Sequence, residues 1–339
     1  MNLNAFWFVL VGVLLTGYAV LDGFDLGTGP LLLCTRSDHE RRVFLNAIGP
    51  IWNGNEVWLV TGGGALFAAF PQVFATVMSG FYDLFMLLLV ALMFRAAAIE
   101  FRSQRPGTGW RTTWDVAFAI SSVLSALLLG VAVGNIIWGI PLDSAREFEG
   151  SFLTLLHPYA LFTGLATAAL FIMHANAYLV LKTEGPLQEK VMKWTTVTVP
   201  AYLACFVAFN ALTLFACPHI VAGFHERPLI LSALFVVGLA ATFNILRATW
   251  TNRPGQVFIS SCAAMALHLL LFGAAVYPNL VFSTPNHAHD LNIYNSASTE
   301  KTLTFMFVVA VIGVPIVLTY TISVYYVFRG KVVLTEESY

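Results

Sequence analysis

From Val116 to Leu142, and again from Gly150 to Leu181, the chain runs without a single Asp, Glu, Lys or Arg. Each stretch exceeds the roughly 20 apolar residues that an α-helix needs to cross the hydrocarbon core of a bilayer. Met1 to Leu21, Trp194 to His225, Pro228 to Leu246, Pro254 to His289 and Thr302 to Phe328 follow the same pattern. Val57 to Tyr82 is also uncharged but carries Phe70-Pro71, where a helix is expected to end because proline removes a backbone donor and restricts the residue before it. Divided there, it gives a second helix from about Asn55 to Ala69 and a third from about Val73 to Phe94. The expected fold is an all-α polytopic membrane protein of nine transmembrane helices. Only 10% of the 339 residues are charged, against roughly 25% in soluble domains.

The basic residues give this count a direction, since cytoplasmic connections collect Lys and Arg. Fourteen of the 17 fall on alternate connections: Arg36, Arg41, Arg42; Arg95, Arg102, Arg105, Arg111; Lys182, Lys190, Lys193; Arg247, Arg253; Arg329 and Lys331. Arg146, Arg227 and Lys301 occupy the other side. The N-terminus is therefore expected outside and the C-terminus in the cytoplasm. The opening run lacks the basic start of a signal peptide and exceeds an h-region in length, so it reads as a retained span. The whole chain, 1–339, reads as one integral-membrane domain, and Pro278 to Glu300 is too short and polar to fold alone.

A net charge of −1 leaves no surplus of positive charge for a phosphate backbone, so nucleic acid is not an expected partner. Cys34, Cys205, Cys217 and Cys262 lie far apart with no zinc-type spacing and read as apolar fillers. No P-loop, dinucleotide or nucleophile-elbow motif is present.

Intramembrane ionisable groups usually face a protein interior, a cavity or a partner. The densest set lies in two segments, GYAVLDGFDLG with Asp22 and Asp25, and WNGNEVW with Asn53 and Glu56. Asp22 and Asp25 are three apart and share a helical face. They are read as lying at the end of the first helix. Two readings stand for the group: a route for protons, or carboxylates that cap helix ends and tie down the Cys34 to Asn53 connection. Asp83 and Asp115 read as acids at helix N-termini. Glu100, between Arg95 and Arg102, reads as an interfacial ion pair.

Of eight histidines only His174 and His268 lie deep in spans. They are the one pair to consider for haem, and each reads first as a hydrogen-bonded core residue; no haem ligand and no metal site is expected in this chain. The NHAHD segment is a minor surface metal candidate.

The segments GYAVLDGFDLGTG, DHERRVFLNAIGPIWNGNEVWLVTGGGALFAAFP, FYDLFMLLLVALMFRAAAIEFRSQ, VAVGNIIWGIP and VVAVIGVPIVLTYTISVYYVF together resemble subunit II of the cytochrome bd-type quinol oxidases. The resemblance spans nearly the whole chain. It implies two four-helix bundles, at about 5–140 and 150–280, and a peripheral ninth helix at about 302–328. It implies an electrogenic enzyme of the bacterial plasma membrane that oxidises quinol, reduces dioxygen to water and builds a proton gradient. The haem-bearing subunit I of the heterodimer would hold haem b with haem d, or haem b alone. Some relatives add a small single-helix accessory subunit or a structural quinone.

By motif, the resemblance places a proton-route position on Asn53 and an oxygen-route position on Trp58. Relatives usually carry Asp or Glu where this chain has Asn53, and an amide does not titrate near neutral pH. Glu56, one turn on, is the expected substitute acid, unless protons travel through subunit I alone. The readings set against the oxidase are a polytopic secondary transporter, which would act alone, and a free-standing b-type cytochrome, which would need His174 and His268 to face each other.

Overall fold

The computed structural model describes residues 2–284 and 286–335. The chain is helical almost throughout, with α1 (Leu3–Leu33), α2 (Asp38–Ile48), α3 (Trp52–Ala69), α4 (Pro71–Gly80), α5 (Tyr82–Phe101) and α6 (Thr108–Trp138) in its first part. After a loop come α7 (Pro158–Lys182), α8 (Gly185–Ala216), α9 (Pro218–Glu226), α10 (Pro228–Trp250), α11 (Pro254–Val276) and, beyond a small hairpin, α12 (Glu300–Val327). Proline at the first helical positions of α4, α7, α8, α9, α10 and α11 starts each where its missing donor is not needed.

Among the described residues eight helices, not nine, are long and apolar enough to cross a membrane: α1, α5, α6, α7, α8, α10, α11 and α12. The expected second helix is present as α3 but falls short. Its 18 residues rise about 27 Å, and they include Asn53, Asn55, Glu56 and three successive glycines. The expected third helix is broken at Phe81 into α4 and α5, and α5 continues to Phe101.

The largest departure is in α1. Asp22 to Gly27 was expected to close the helix, yet it continues to Leu33 with Pro30 inside it. Neither the acids nor the glycines break it, because their partners come from other helices. The aspartates meet groups on α3 and α5, and Gly27 lets α1 approach the backbone of α7 so closely that an added Cβ would strike the Phe171 carbonyl. The aspartates thus lie within the helix rather than capping its end.

The connection after α1 contains the amphipathic helix α2. The Ser37 hydroxyl accepts from the Glu40 N–H at 3.2 Å, an N-cap, and Phe44, Leu45 and Ile48 are buried against the bundle. At the opposite end of the molecule, the described residues between Pro278 and Glu300 fold against their neighbours rather than alone. β1 (Asn279–Val281) pairs antiparallel with β2 (Leu291–Asn292), and Val281, Leu291 and Ile293 join a core with Trp7, Phe70 and Phe81.

α12 is exposed along most of its length, with Leu303 its one residue described as buried. Its C-terminal end is nevertheless held by a reciprocal clamp. Lys182, at the end of α7, donates to the carbonyls of Phe328 and Gly330 beyond α12. Lys331 donates to the carbonyls of Leu181 and Thr183 at 2.8 Å each, and the Val332 N–H donates to the Lys182 carbonyl at 3.0 Å. Each ammonium thereby satisfies carbonyls at the negative end of the other helix.

Candidate functional site

The polar residues of α1, α3, α5 and α12 converge on one buried cluster. Its centre is Arg95, two turns inside α5 and fully buried. One arm of the guanidinium donates to Asp22 Oδ1 at 2.9 Å and the other to Glu56 Oε1 at 2.6 Å. This forked geometry suits arginine and not lysine. The Trp52 ring lies 6.0 Å from Arg95 Cζ, within cation–π range.

One turn along α1, Asp25 Oδ2 accepts from Asn55 Nδ2 at 2.8 Å, and Asn55 Oδ1 accepts from the Tyr325 hydroxyl of α12 at 3.0 Å. Asp22, Asp25 and Arg95 have no exposed surface, and Asn55 has 2%. Two carboxyl groups therefore share one guanidinium and a third is buried beside them on an amide, so the cluster has acidic sites in excess of its fixed positive charge. Tyr18 Oη, Asp22 Oδ2 and Asp25 Oδ1 are buried without a protein partner among the described residues. Such groups can take up and release protons or hold water; they contain no nucleophile–base pair that would suggest covalent chemistry.

A second network joins α2 to α5 and α6. Asp115 accepts from Arg102 Nε at 2.5 Å and from Arg41 Nη1 at 2.9 Å, while Asp38 accepts from Arg102 Nη2 at 2.7 Å and Arg111 Nη1 at 2.8 Å. Lys190 reaches Glu40 at 2.8 Å. Burial acts to raise the Asp38 carboxyl, but hydrogen bonding and charge from Arg102, aided by Arg111 and Arg42, hold it below its ordinary value. Glu40 is likewise lowered, burial being outweighed by Lys190 and by the Arg36 N–H.

Both acids are stronger in the folded chain, so they stabilise α2 fully above the unfolded carboxylate value of about 4. That contribution is lost as pH falls through the lower folded values. Hydrogen exchange in α2, corrected for its intrinsic rate, is expected to accelerate below about pH 4 while α7 stays protected. Equal protection of α2 on both sides of that range would contradict the assignment.

The structure brings Asp22, Asp25 and Glu56 together but not Asn53, which is exposed on α3. The amide in the cluster is Asn55. Arg95 and Arg102 form the ion pairs just described with Asp22, Glu56, Asp38 and Asp115; the expectation had centred both on Glu100, which is exposed. Trp58 lies against Gly17 of α1 and lines an apolar cavity of about 390 Å³ between α1, α3 and α12, with Trp7, Thr61, Met306 and Val314. Asn55, Tyr325 and the central position of Arg95 escaped the sequence reading. The one available signal was the need of three intramembrane carboxyls for a cation.

The histidines do not fit haem iron. His174 Nδ1 bonds Ser261 Oγ and Nε2 bonds the Val20 carbonyl, both at 2.9 Å, which ties α7 to α11 and α1. His268 Nδ1 bonds the Tyr202 hydroxyl at 2.6 Å, and its Nε2 lies against Gly238 of α10, where even an added Cβ would come within 2.9 Å. In the NHAHD segment Asp290 accepts from the Ser283 N–H at 2.7 Å, and His289 bonds the Leu142 carbonyl at 3.1 Å. Among the described residues no group of three or more His, Cys, Asp or Glu is arranged to hold a metal ion.

Residues 3–328 match the family described as cytochrome bd terminal oxidase subunit II. The chain is similar to cytochrome bd-I ubiquinol oxidase subunit 2 of Escherichia coli (strain K12), 32% identical over 97% of this chain and 95% of the relative. It is also similar to cytochrome bd ubiquinol oxidase subunit 2 of Bacillus subtilis (strain 168), 33% identical over 98% and 97%. A chain from the solved structure of bd oxidase from Geobacillus thermodenitrificans superposes with a TM-score of 0.80 at 15% identity, covering 97% of this chain and 98% of that one.

Proposed function

Since the chain belongs to the cytochrome bd terminal oxidase subunit II family, we propose that its buried Asp22–Asp25–Glu56–Arg95 cluster is a proton route serving the oxidase. The chain is a membrane-embedded subunit of a bacterial complex that couples quinol oxidation to dioxygen reduction. The haems, of b type with d or of b type alone, belong to subunit I, which carries the redox chemistry. This chain supports subunit I, and its cluster passes to the site of water formation protons drawn from the cytoplasm, while quinol releases its own outside, so that a gradient is built.

The observation that carries this reading is the geometry around Arg95: three carboxyls, one guanidinium and several buried acceptors linking α1, α3, α5 and α12. Glu56 is the member of the cluster with a part-exposed side chain, at 25%, and suits the proton entrance. The apolar cavity beside Trp58 suits an oxygen route. α3 is read as the ninth crossing, with the N-terminus outside, the C-terminus in the cytoplasm and two four-helix bundles flanked by α12. Its exposed residues Asn53, Val57, Val60, Thr61, Gly64 and Phe67 recur on one face. This stripe sets the large apolar Val57, Val60 and Phe67 beside Asn53, Thr61 and Gly64, a mixed face that suits packing against another helix in a membrane, and it is assigned to subunit I. Asn53 would orient water at that seam. A structural quinone and an accessory helix complete the proposed complex.

The test is quinol-driven oxygen consumption and proton uptake by the two-subunit complex in proteoliposomes. Asp25→Asn and Glu56→Gln are expected to lower turnover by at least about tenfold, as loss of a proton-transfer group does, with the KM for quinol unchanged. Wild-type turnover and proton uptake in both variants would overturn the route.

A further inference from the structure

We propose that Asn55 is a two-position amide switched by the proton on Asp25, with Tyr325 the positioning residue that completes its hydrogen bonds in both positions. This rests on the proton route proposed above and assigns a role to two residues outside its carboxyl set.

Asn55 is buried with both ends of its amide engaged: Nδ2 donates to Asp25 Oδ2 at 2.8 Å, and Oδ1 accepts from the Tyr325 hydroxyl at 3.0 Å. An ionised carboxylate only accepts, so it requires the NH₂ end of the amide. A carboxyl protonated on Oδ2, the oxygen facing Asn55, donates there instead, which requires the amide oxygen. Rotating the Asn55 amide by half a turn exchanges its two ends with almost no change of shape. The NH₂ group then points at Tyr325, whose hydroxyl oxygen can accept just as its proton could be donated before.

With the proton carried on Oδ2, the oxygen that faces Asn55, each proton state of Asp25 therefore has one matched arrangement at this contact, and a mismatched amide would leave buried polar atoms unpaired. Phenylalanine at 325 would serve neither position. The Tyr325 backbone is held at a fixed height because Lys182 grips the Phe328 carbonyl one turn later. The other titratable and charged groups facing Asp25 are Asp22 on α1, Arg95 on α5 and Tyr178 on α7, while Tyr18 and Glu56 face Asp22 and Arg95 beside it. Of the contacts to Asp25 itself, the Asn55 amide is the hydrogen bond that reverses by rotation alone.

The experiment is infrared difference spectroscopy of the whole two-subunit complex during a pH titration. The Asp25 carboxyl band is identified by its loss in Asp25→Asn. The Asn55 amide band is identified by carbon-13 asparagine labelling and its loss in Asn55→Leu. The two bands are expected to change together in the wild type. In Tyr325→Phe the amide band is expected to stop following the carboxyl band, and turnover to fall about fivefold, the worth of one hydrogen bond of ordinary strength, at unchanged quinol KM.

A wild-type amide band that stays still while the carboxyl band titrates overturns the switch. So does a Tyr325→Phe complex whose bands move together as in wild type. The wild-type titration decides the question by itself if the variant does not assemble. Unchanged turnover in both Asp25→Asn and Glu56→Gln removes the underlying proton route, whereas a still amide with turnover abolished in Asp25→Asn removes the switch alone.

Discussion

Arg95→Leu is expected to abolish accumulation of the complex in the membrane, or to lower its thermal midpoint in mild detergent by about 10 °C where some survives. The substitution fits the space but leaves Asp22 and Glu56 facing each other without their cation. Removing one partner of a buried ion pair costs about 3–5 kcal/mol because the charge left behind is desolvated and unpaired. Here two carboxyls lose their partner at once. Arg95→Lys keeps the charge but not the fork that reaches both acids, so it is expected to restore abundance only in part.

The triple variant Arg95→Leu, Asp22→Asn, Glu56→Gln separates folding from function. It carries no uncompensated charge at these positions, so abundance should recover towards wild type while turnover stays low. Quantitative immunoblotting of membranes together with oxygen consumption measures both. Normal accumulation of Arg95→Leu alone would show that the guanidinium is not what holds the cluster.

Gly27→Ala is expected to have the next largest effect, out of proportion to one methyl group. The added carbon would strike the Phe171 carbonyl and crowd Ala175 on α7. A flexible side chain could turn away; a helix backbone cannot. α1 and α7 must then separate, weakening the His174 bond to the Val20 carbonyl and the stack of Phe24 on Tyr178, whose centroids are 3.9 Å apart. Overpacking of this kind costs typically 1–3 kcal/mol and more where backbone must move. Gly12→Ala, on the same helix but with nothing within 4 Å of the new carbon, is the control. It is expected to leave the thermal midpoint unchanged or slightly higher, as alanine favours helix over glycine. Equal midpoints for the two variants would contradict the close α1–α7 seam.

The long crossings were legible because an uncharged run of sufficient length has few other fates, and α6, α7 and α12 follow directly from it. What escaped the sequence depended on partners far along the chain. Asp22 and Asp25 read locally as lying at the end of a helix, and only the packing of α7 and the acceptor needs of Asn55 explain why α1 runs through them. Arg95 looked like the first residue of a basic connection with Arg102 and Arg105, whereas α5 extends past it to Phe101. Asn53 drew attention by motif, yet position 55 is roughly 200° further round the helix and is the one that turns inward. Tyr325 stands 270 residues from Asn55, and no local pattern connects the two.

The opposite charges of α1 and α5 also bear on how the chain is made. A charged residue near the middle of a spanning helix costs about 2.5–3.5 kcal/mol to place in lipid when it arrives alone. α1 carries two acids within its 31 residues, past its midpoint, and is synthesised before the helix that carries their arginine. Stable residence of α1 in hydrocarbon therefore awaits α5, and the two are best regarded as a complementary pair whose partition from the translocon is coupled. Biogenesis acquires an internal checkpoint from this: a chain stalled between them presents unneutralised carboxylates to the membrane, the kind of defect that quality-control proteases can recognise.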